Sequence, residues 1–469
     1  MQLTTQQHRR IHLVGIGGIG MSGIARLLLE RGFEVSGSDL QPSSLCDSLV
    51  ALGAQIYQGH CQEHVNGADL VVVSSAIPED NPELVEARGR LPVLHRAEML
   101  ASLAGNHKMI AITGTHGKST TTAMVGDIIA AAGWDPAVVI GAEATSLGGN
   151  VRLGDGEWFV VEADESDGSF IHFHPSYALV TNIEREHVEH FPTLNELLDV
   201  FGQFISRVRD GSPVVIGADC AGCQELMRQS SAGFITFGMK SADYIAQEVM
   251  HQGWASKFEV WHGTERLGRV RLPVPGVHNV LNALGAVALC DQLGISFDII
   301  ADALCCYAGL KRRMEFVGDS GDVLFIDDYA HHPAEVRAVV ASVREALGRR
   351  VVAVFQPHRY SRTQALADEF GAAFKNADAV CITDIYPASE EPMPGVSGQL
   401  IADAIQRHEP DKSSAFVPSL ADSAAWVGAR LRGGEVVLTL GAGDVGQIVD
   451  LVKLHLGCSG PSIVNETAV

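Results

Sequence analysis

Apolar residues fall in short β-branched runs that alternate with stretches of helical periodicity along nearly the whole chain. Residues 11–14 form such a run and enter Gly15-Ile16-Gly17-Gly18-Ile19-Gly20; a periodic stretch from Met21 to Leu29 then stops at Gly32. A second run, 33–38, ends at Asp39, and further runs occupy 54–57 and 70–73. In the middle of the chain a run ahead of Gly114 precedes a periodic segment, 123–132, and apolar runs recur at 158–161 and 177–182. Farther on, 323–328, 350–355, 377–383 and 435–440 repeat the theme. Strand alternating with helix predicts an α/β fold with parallel, helix-covered sheets. At 469 residues the chain exceeds one hydrophobic core, so about three domains are expected, divided as 1–107, 108–313 and 314–469, with 104–107 as a linker.

The densest chemistry lies at Gly114-Thr115-His116-Gly117-Lys118-Ser119-Thr120, between a strand and a helix. Backbone N–H groups of such a turn and the positive end of the helix dipole point at one spot. Lys118 adds a full charge where a β/γ-phosphate would sit. Ser119 offers a hydroxyl to Mg²⁺. Ile112 stands where the first glycine of Gly-x4-Gly-Lys-[Ser/Thr] belongs, so the loop is a variant. A capped helix start is the plainer alternative. Strand, glycines, lysine and hydroxyl in one run favour a nucleotide.

Other candidates gather at strand ends. Gly17, Gly18, Ile19 and Gly20, followed by Ser38 and Asp39, fit the glycine pattern that lets a pyrophosphate approach a helix N-terminus. That pattern accepts NAD or any nucleoside diphosphate. Ser74, Ser75, Ala76, His95 and Arg96 end later strands of the same region and fit its ligand crevice, although the serines ahead of Pro78 read equally well as plain turn chemistry. The run 158–161 closes on Glu162-Ala163-Asp164-Glu165-Ser166-Asp167, acids beside a phosphate loop that suit Mg²⁺. His187, among Glu184, Glu186 and Glu189, reads either as a metal ligand or as a surface histidine. His278, Asn279 and Asn282 open an apolar helix with groups able to read a base edge, and Lys311-Arg312-Arg313 puts cations at a domain junction, where an arginine could sense phosphate. In the last region Asp328, Tyr329 and His331 share a crevice with the loop 356–362, whose Arg359 and Arg362 suit a carboxylate.

Composition narrows the field. The chain is 46% hydrophobic and 19% charged with net charge −22, which disfavours a non-specific nucleic-acid role. No apolar run approaches the roughly 20 residues that span a bilayer, and no secretory h-region follows the polar start, so a cytoplasmic location is expected. Nine cysteines without regular spacing argue for reduced thiols. Cys220-x-x-Cys223 has no second pair and Cys305-Cys306 are adjacent, so both are read as small buried residues.

A diphosphate fold, a triphosphate loop with acids and a carboxylate grip together suggest phosphoryl transfer to a carboxylate, followed by attack of an amine on the acyl phosphate. The motifs Gly15-Ile16-Gly17-Gly18-Ile19-Gly20-Met21, Gly114-Thr115-His116-Gly117-Lys118, Glu162-Ala163-Asp164-Glu165-Ser166-Asp167, Thr181-Asn182-Ile183-Glu184, His278-Asn279, Lys311-Arg312-Arg313, Asp327-Asp328-Tyr329-Ala330-His331-His332-Pro333 and Phe355-Gln356-Pro357-His358-Arg359-Tyr360-Ser361-Arg362, in this order, resemble those of the Mur ligase family over residues 10–455.

The resemblance implies three α/β domains: a Rossmann-like N-terminal domain for a UDP-sugar, a central P-loop ATPase-like domain for ATP, and a C-terminal Rossmann-like domain for an amino acid. It implies UDP-N-acetylmuramate and L-alanine as substrates, ATP and Mg²⁺ as cofactors, and a monomer or homodimer engaged in peptidoglycan precursor synthesis. It assigns Lys118 to the phosphates with residues 114–120, Ser119, Glu162 and His187 to metal, and His278, Asn279 and Asn282 to adenine. Arg313 would meet the terminal phosphate and Asp328 the ribose, while Tyr329, His331, His358, Arg359 and Arg362 would surround alanine; Lys118, His187 and Arg313 would be catalytic. Two positions depart from the family pattern: Ser119 stands for threonine, and Glu186-His187 for Asp-His. A murein-peptide ligase, which attaches a tripeptide to the same sugar nucleotide, lacks the Gln-Pro-His-Arg-x-x-Arg loop present at 356–362. An NAD-dependent oxidoreductase leaves Lys118 and the acids unexplained. A non-catalytic nucleotide-binding module need not keep the arginines.

Overall fold

The structure, a computed structural model, describes residues 8–42, 44–186, 190–388 and 390–456. Its first sheet has five parallel strands, β1 (Arg10–Val14), β2 (Glu34–Asp39), β3 (Gln55–Gln58), β4 (Leu70–Val73) and β5 (Val93–His95), in the order β3-β2-β1-β4-β5. Strand order reverses beside β1, which places a crevice at its C-terminal end. Helices α1 (Ile19–Glu30), α2 (Ser44–Ala51) and α3 (Pro82–Ala87) lie between these strands in the chain, and α4 (Arg96–Ala104) follows β5 and leads to the next sheet. The α4 start is fixed by a capping box: the backbone N–H of His95 donates to Glu98 and that of Ala97 to His95 Nδ1.

The second sheet comprises β6 (Lys108–Thr113), β7 (Ala137–Ala144), β8 (Gly149–Arg152), β9 (Trp158–Glu162), β10 (Tyr177–Val180), β11 (Val214–Gly217), β12 (Phe234–Gly238), β13 (Tyr244–Gln252), β14 (Ala255–His262) and β15 (Glu265–Leu272), in the order β15-β14-β13-β12-β11-β10-β6-β9-β7-β8. Strands β6, β9 and β10 pair in parallel at its centre and are almost wholly apolar and buried, as expected of strands covered on both faces. Helices α5 (Lys118–Ala131), α6 (Leu194–Ile205), α7 (Ala221–Gln229), α8 (Val277–Gln292) and α9 (Phe297–Cys305) follow in sequence. The sequence put strand, tight turn and the first turn of this helix within 111–122, and α5 does start there, at Lys118, where Gly117, at φ +81°, turns the loop directly into the helix. Strands β12–β15 were not foreseen.

The third sheet, β16 (Glu315–Ser320), β17 (Val323–Asp328), β18 (Val351–Phe355), β19 (Ala379–Ile382), β20 (Ser413–Phe416) and β21 (Val436–Leu440), runs β16-β17-β21-β18-β19-β20. It is parallel except for β16. Its helices are α10 (Pro333–Leu347), α11 (Tyr360–Ala373), α12 (Gln399–His408), α13 (Leu420–Gly428) and α14 (Ile448–His455). The three-part α/β architecture expected from the sequence is present.

The chain forms two compact units. One is built on residues up to 248 with 258–270 and 281–308, the other on 249–257, 271–280 and the chain from 309. The first two sheets share a unit because one apolar core runs through both, joining Ile11, Leu27 and Met99 to Phe159, Phe170 and Phe201. Two cysteine expectations need correcting. Cys305 and Cys306, read as buried, are exposed, because α9 ends there; Cys223 is buried but Cys220 only half so. No helix among the described residues is long and apolar enough to cross a membrane.

Candidate functional site

In the first unit β6 ends in the loop 114–117, whose shape the neighbouring strand end dictates. Asn182 holds the His116 backbone at both ends, accepting from its N–H at 2.9 Å and donating to its carbonyl at 3.0 Å. Thr181 Oγ1 donates to the same carbonyl at 2.6 Å, and Thr115 Oγ1 accepts from the Glu184 N–H at 2.9 Å. Only glycine fits at 114: a Cβ there would lie 2.2 Å from Thr181 Oγ1, and φ is +128°. Gly117 is the N-cap of α5 and no side chain caps this helix, so its first N–H groups are left for a ligand. A Cβ at Gly117 would lie 2.3 Å from Asn282 Oδ1, which puts Asn282 against the loop.

Lys118 turns its ammonium back over this loop, donating to the carbonyls of Gly114 (2.8 Å) and Thr115 (3.1 Å) and to Glu165 (3.0 Å). Burial works against the charge. The carboxylates of Glu165, Asp164 and Glu162 outweigh it and hold the lysine above its usual range. Ser119 and Thr120 lie buried in the first turn of α5. Glu162, at the end of β9, accepts from the Gly141 N–H at 2.7 Å, and a Cβ at 141 would crowd it at 3.1 Å. The hydroxyl of Ser119 and the carboxylate of Glu162 are hard oxygen donors of the kind Mg²⁺ takes. His187 lies outside the described residues.

The sequence treated residues 162–167 as one acidic group, but the structure divides them. Glu165 is fully buried with Lys118. Asp164 meets Arg96 at 2.7 Å, and Asp167 accepts from Ser75 Oγ at 2.6 Å and faces His95 Nε2 at 3.5 Å. Burial would raise the Asp167 carboxyl, yet hydrogen bonds from Ser169 and Ser75 bring it below the usual range. Burial also lowers His95, leaving a neutral ring whose Nδ1 accepts from Ala97 N–H. Three residues assigned to the first crevice, Ser75, His95 and Arg96, are thereby joined to the loop that serves the second.

Within that crevice, Asp39 accepts from the N–H of Gly17 (2.9 Å) and of Gln41 (3.0 Å), so its carboxylate braces the glycine turn. Gly18 is the N-cap of α1, again with no side-chain cap, and Ile19 and Gly20 form its first turn. Ser74 and Ala76 lie on the turn after β4. Ser38 is buried, donating to Glu83 at 2.5 Å and lying 3.0 Å from His60 Nδ1. Glu83 is a residue the sequence reading passed over. Fully buried, it meets His64 Nδ1 at 2.6 Å, His60 Nδ1 at 3.2 Å and His12 Nε2 at 3.6 Å. Burial pushes its carboxyl up, but hydrogen bonds from His12, Ser38 and His64 prevail and bring it to about 2. Its only sequence signal was an acid in the first turn of α3 after Asn81-Pro82.

In the second unit Arg312 and Arg313 both lie over the Tyr329 ring, 5.2 and 5.1 Å from its centre, and Arg312 is further committed to structure, bonding Asp327 at 3.1 Å and the Gly441 carbonyl at 2.6 Å. Asp328 is buried and accepts from the N–H groups of Met314 and Ala330, both at 2.7 Å. Burial, opposed by Arg313 and these N–H groups, raises its carboxyl to about 6. Asn279 donates to the Pro275 carbonyl at 2.7 Å, and His278 stands in the first turn of α8, its ring beside Gly276.

His331 and His358 approach each other at 5.6 Å between ring centres, and His358 stacks on Tyr386. Burial lowers His331 to about 3; burial with Arg362 and Arg359 lowers His358 to about 4. Both rings are therefore neutral at pH 7. His331 Nδ1 lies 3.0 Å from the Tyr329 carbonyl and must donate to it, which leaves Nε2 as the acceptor. Arg359 carries φ +71°, a costly conformation for a residue with a Cβ. It is held there by its N–H to the Tyr386 carbonyl (2.9 Å) and by Thr363 Oγ1 donating to its own carbonyl (2.8 Å). Neutral imidazoles beside two guanidiniums suit a zwitterion with an ammonium and a carboxylate.

The chain matches three consecutive family models: the Mur ligase family catalytic domain over residues 10–108, the Mur ligase middle domain over 112–290 and the Mur ligase glutamate ligase domain over 312–443. A UDP-N-acetylmuramate–L-alanine ligase from Syntrophotalea carbinolica is 47% identical over 443 residues, covering 94% of this chain and 96% of that one. Among solved structures, the UDP-N-acetylmuramate-alanine ligase of Thermotoga maritima is 31% identical with a TM-score of 0.82, covering 96% of this chain and 99% of that one. A murein peptide ligase from Psychrobacter arcticus, 24% identical with a TM-score of 0.71 over the same shares, is alike in fold. The three matched segments follow the order of the three sheets and take in the phosphate loop, the acids and the paired arginines: this chain belongs to the Mur ligase family.

Proposed function

We propose that this chain is an ATP-dependent, ADP-forming ligase that joins L-alanine to the carboxylate of UDP-N-acetylmuramate through an acyl phosphate, in the cytoplasmic synthesis of peptidoglycan precursor. The observation that carries the reading is the loop 162–167. One of its acids holds the phosphate-loop lysine and two others hold Ser75, His95 and Arg96, so one short segment answers to both the triphosphate and the sugar nucleotide.

In this reading residues 1–107 hold the UDP-sugar through Gly17, Gly18, Ile19, Gly20, Ser38, Asp39, Ser74, Ser75, Ala76, His95 and Arg96. Residues 108–313 hold ATP through 114–120, His278, Asn279, Asn282 and Arg313, with Asp328 of 314–469 at the ribose. Lys118 leaves part of its contact with Glu165 to meet the phosphates, and its charge offsets that developing as the terminal phosphoryl moves to the sugar's carboxylate. Ser119 and Glu162, with His187, would hold Mg²⁺, which supplies further screening between the two anions. Arg359 and Arg362 grip the carboxylate of alanine. His331 and His358 stay neutral in their burial, and the positive field of Arg359 and Arg362 beside them favours loss of the proton that the nucleophile must shed.

The test is release of ADP and inorganic phosphate from ATP with UDP-N-acetylmuramate, each amino acid being offered in turn. Turnover with L-alanine above glycine and serine is expected. Turnover with L-alanyl-γ-D-glutamyl-diaminopimelate and none with alanine would make the chain a murein-peptide ligase. No phosphate release with either amine would reject the proposal.

A further inference from the structure

The Cys-x-x-Cys pair at the start of α7 is a sequence motif that the ligase chemistry leaves unused. Cys220 is the N-cap of α7 and Cys223, buried at 0% exposure, lies in its first turn, so the two side chains share one face of the helix start. The Cys220 sulfur reaches out to Ile183, accepting from its N–H at 3.2 Å and donating to its carbonyl at 3.1 Å. Gly222 lets α7 close on that same carbonyl, since a Cβ there would come within 2.2 Å of it. Ile183 in turn stands between the two residues that shape the phosphate loop: Asn182, which holds the His116 backbone, and Glu184, whose N–H bonds Thr115. One thiol therefore fastens the helix start to the loop brace.

We propose that Cys220 and Cys223 are a redox pair that hydrogen peroxide or an alkyl hydroperoxide closes to a disulfide, and that closure draws the Cys220 sulfur off the Ile183 backbone, weakening the bond it accepts from the Ile183 N–H, and loosens the phosphate loop. Cys220, half-exposed and at a helix N-terminus, is the attacking sulfur; Cys223, buried behind it, is the resolving one. The Cys223 thiol and the N–H groups of Cys223, Ile183 and Gly222 stabilise the Cys220 thiolate against the cost of burial, bringing it to about 6, while Cys223 is pushed up. The thiolate attacks a peroxide oxygen, the O–O bond breaks and hydroxide leaves, giving a sulfenic acid. The Cys223 sulfur then attacks that sulfur, forming S–S; its own proton and the sulfenic hydroxyl depart as water. Two thiols and one hydrogen peroxide yield one disulfide and two waters; with an alkyl hydroperoxide the leaving group is an alkoxide, and one alcohol replaces one of the waters. The two electrons pass from the sulfurs to the peroxide. A dithiol reductant reverses the change.

The consequence for ATP rests on the proposed function, whereas the disulfide itself does not. The full chain is to be treated with hydrogen peroxide, its remaining thiols alkylated, and the peptide bearing residues 220 and 223 weighed. A peptide lighter by two hydrogens and bearing no alkyl group there is expected, restored by dithiothreitol. The KM for ATP should rise about three- to tenfold in the oxidised enzyme, with that for UDP-N-acetylmuramate unchanged, and should return on reduction. In Cys223→Ser, turnover under reducing conditions should match the parent, and peroxide should leave a Cys220 sulfenic acid that dimedone traps. Both cysteines alkylated after peroxide would overturn the proposal. A disulfide that forms and reverses with no change in the KM for ATP would overturn its coupling to the loop. An enzyme that never turns over, yet forms the disulfide, would indict the ligase assignment instead.

Discussion

The two glycine loops of the first unit treat the backbone alike and charge differently. Each follows a buried parallel strand and enters a helix whose N-cap is a glycine without a side-chain cap, Gly18 for α1 and Gly117 for α5. At the first loop the charged neighbours serve the turn itself. Asp39 takes the Gly17 N–H, and Arg96, 3.5 Å from a Cβ built at Gly20, is already matched by Asp164. At the second loop a lysine and a buried glutamate form part of the wall. A diphosphate that stays intact needs only a shaped, positively polarised backbone. A triphosphate that gives up a phosphoryl group needs a movable cation, and a carboxylate to hold that cation until needed. One loop binds; the other binds and manages charge.

Lys118→Ala breaks this comparison hardest. Phosphate release should fall by a factor of ~10³ or more, the scale of losing a charged contact to a transferring phosphoryl group. The UDP-sugar Kd, measured by calorimetry, should stay within about twofold. Equal losses at both ligands would mean that the loops are not separate. Because buried Glu165 would lose the cation that Lys118 supplies, stability should also drop, by about 3–5 kcal/mol. Lys118→Ala/Glu165→Ala should regain most of the Tm but none of the turnover, which separates the chemistry from the fold.

A matched pair of methyl groups comes next. Gly117→Ala must place a Cβ at φ +81° and 2.3 Å from Asn282 Oδ1, so the loop has to move. A shift of that kind costs ~10²-fold in turnover with ATP. Gly18→Ala is mild by contrast. Its φ is −66° and a Cβ there meets only the Gly15 carbonyl, at 3.4 Å. Less than a twofold change in UDP-sugar binding is expected. A Gly117→Ala enzyme with normal kinetics would show the second loop to be as tolerant as the first.

Both loops were legible in the sequence because a strand, a glycine turn and a helix start are local events, each with a pattern that a few neighbouring residues specify. What stayed illegible was the choice of partner. Nothing in Glu162-Ala163-Asp164-Glu165-Ser166-Asp167 says that Glu165 goes to Lys118 and Asp164 to Arg96; the crossing of β9 past α4 and α5 decides it. For the same reason the run 311–313, taken without the family resemblance, does not tell Arg312 from Arg313; Asp327 and Gly441 claim the first. Glu83 was invisible because its partners come from distant parts of the chain, His12 from β1 and His60 and His64 from the segment after β3. The backbone strain at Arg359 has no sequence signature in a residue with a Cβ.

Glu83 gives the comparison a pH axis. Its carboxyl sits at about 2 in the fold against an ordinary 4.5, so it stabilises fully above 4.5 and loses that stabilisation as pH falls from 4.5 towards 2. The size is roughly 3 kcal/mol. Glu83→Gln should cost 2–3 kcal/mol near pH 6, about the worth of hydrogen bonds to a buried charge, and should flatten the fall between pH 5 and pH 3. Urea titrations at several pH values read both effects. Identical slopes in the two proteins would remove Glu83 as the prop behind Ser38.

The smallest effect decides how Asp39 works. In Asp39→Asn a carbonyl oxygen replaces one carboxylate oxygen and an NH₂ the other, so the side chain can accept from the N–H of Gly17 or of Gln41 but not from both. About 1 kcal/mol should be lost, a Kd for the UDP-sugar some fivefold weaker, with the KM for ATP unmoved. Uridine sharpens the result. If Asp39 acts by setting the glycine turn, only ligands with a diphosphate read that turn, so UDP should weaken as much as the UDP-sugar while uridine is indifferent to the substitution. If uridine weakens equally, the carboxylate grips the nucleoside itself, and the first loop then owes its selectivity to a side-chain contact and not to the shape of its backbone.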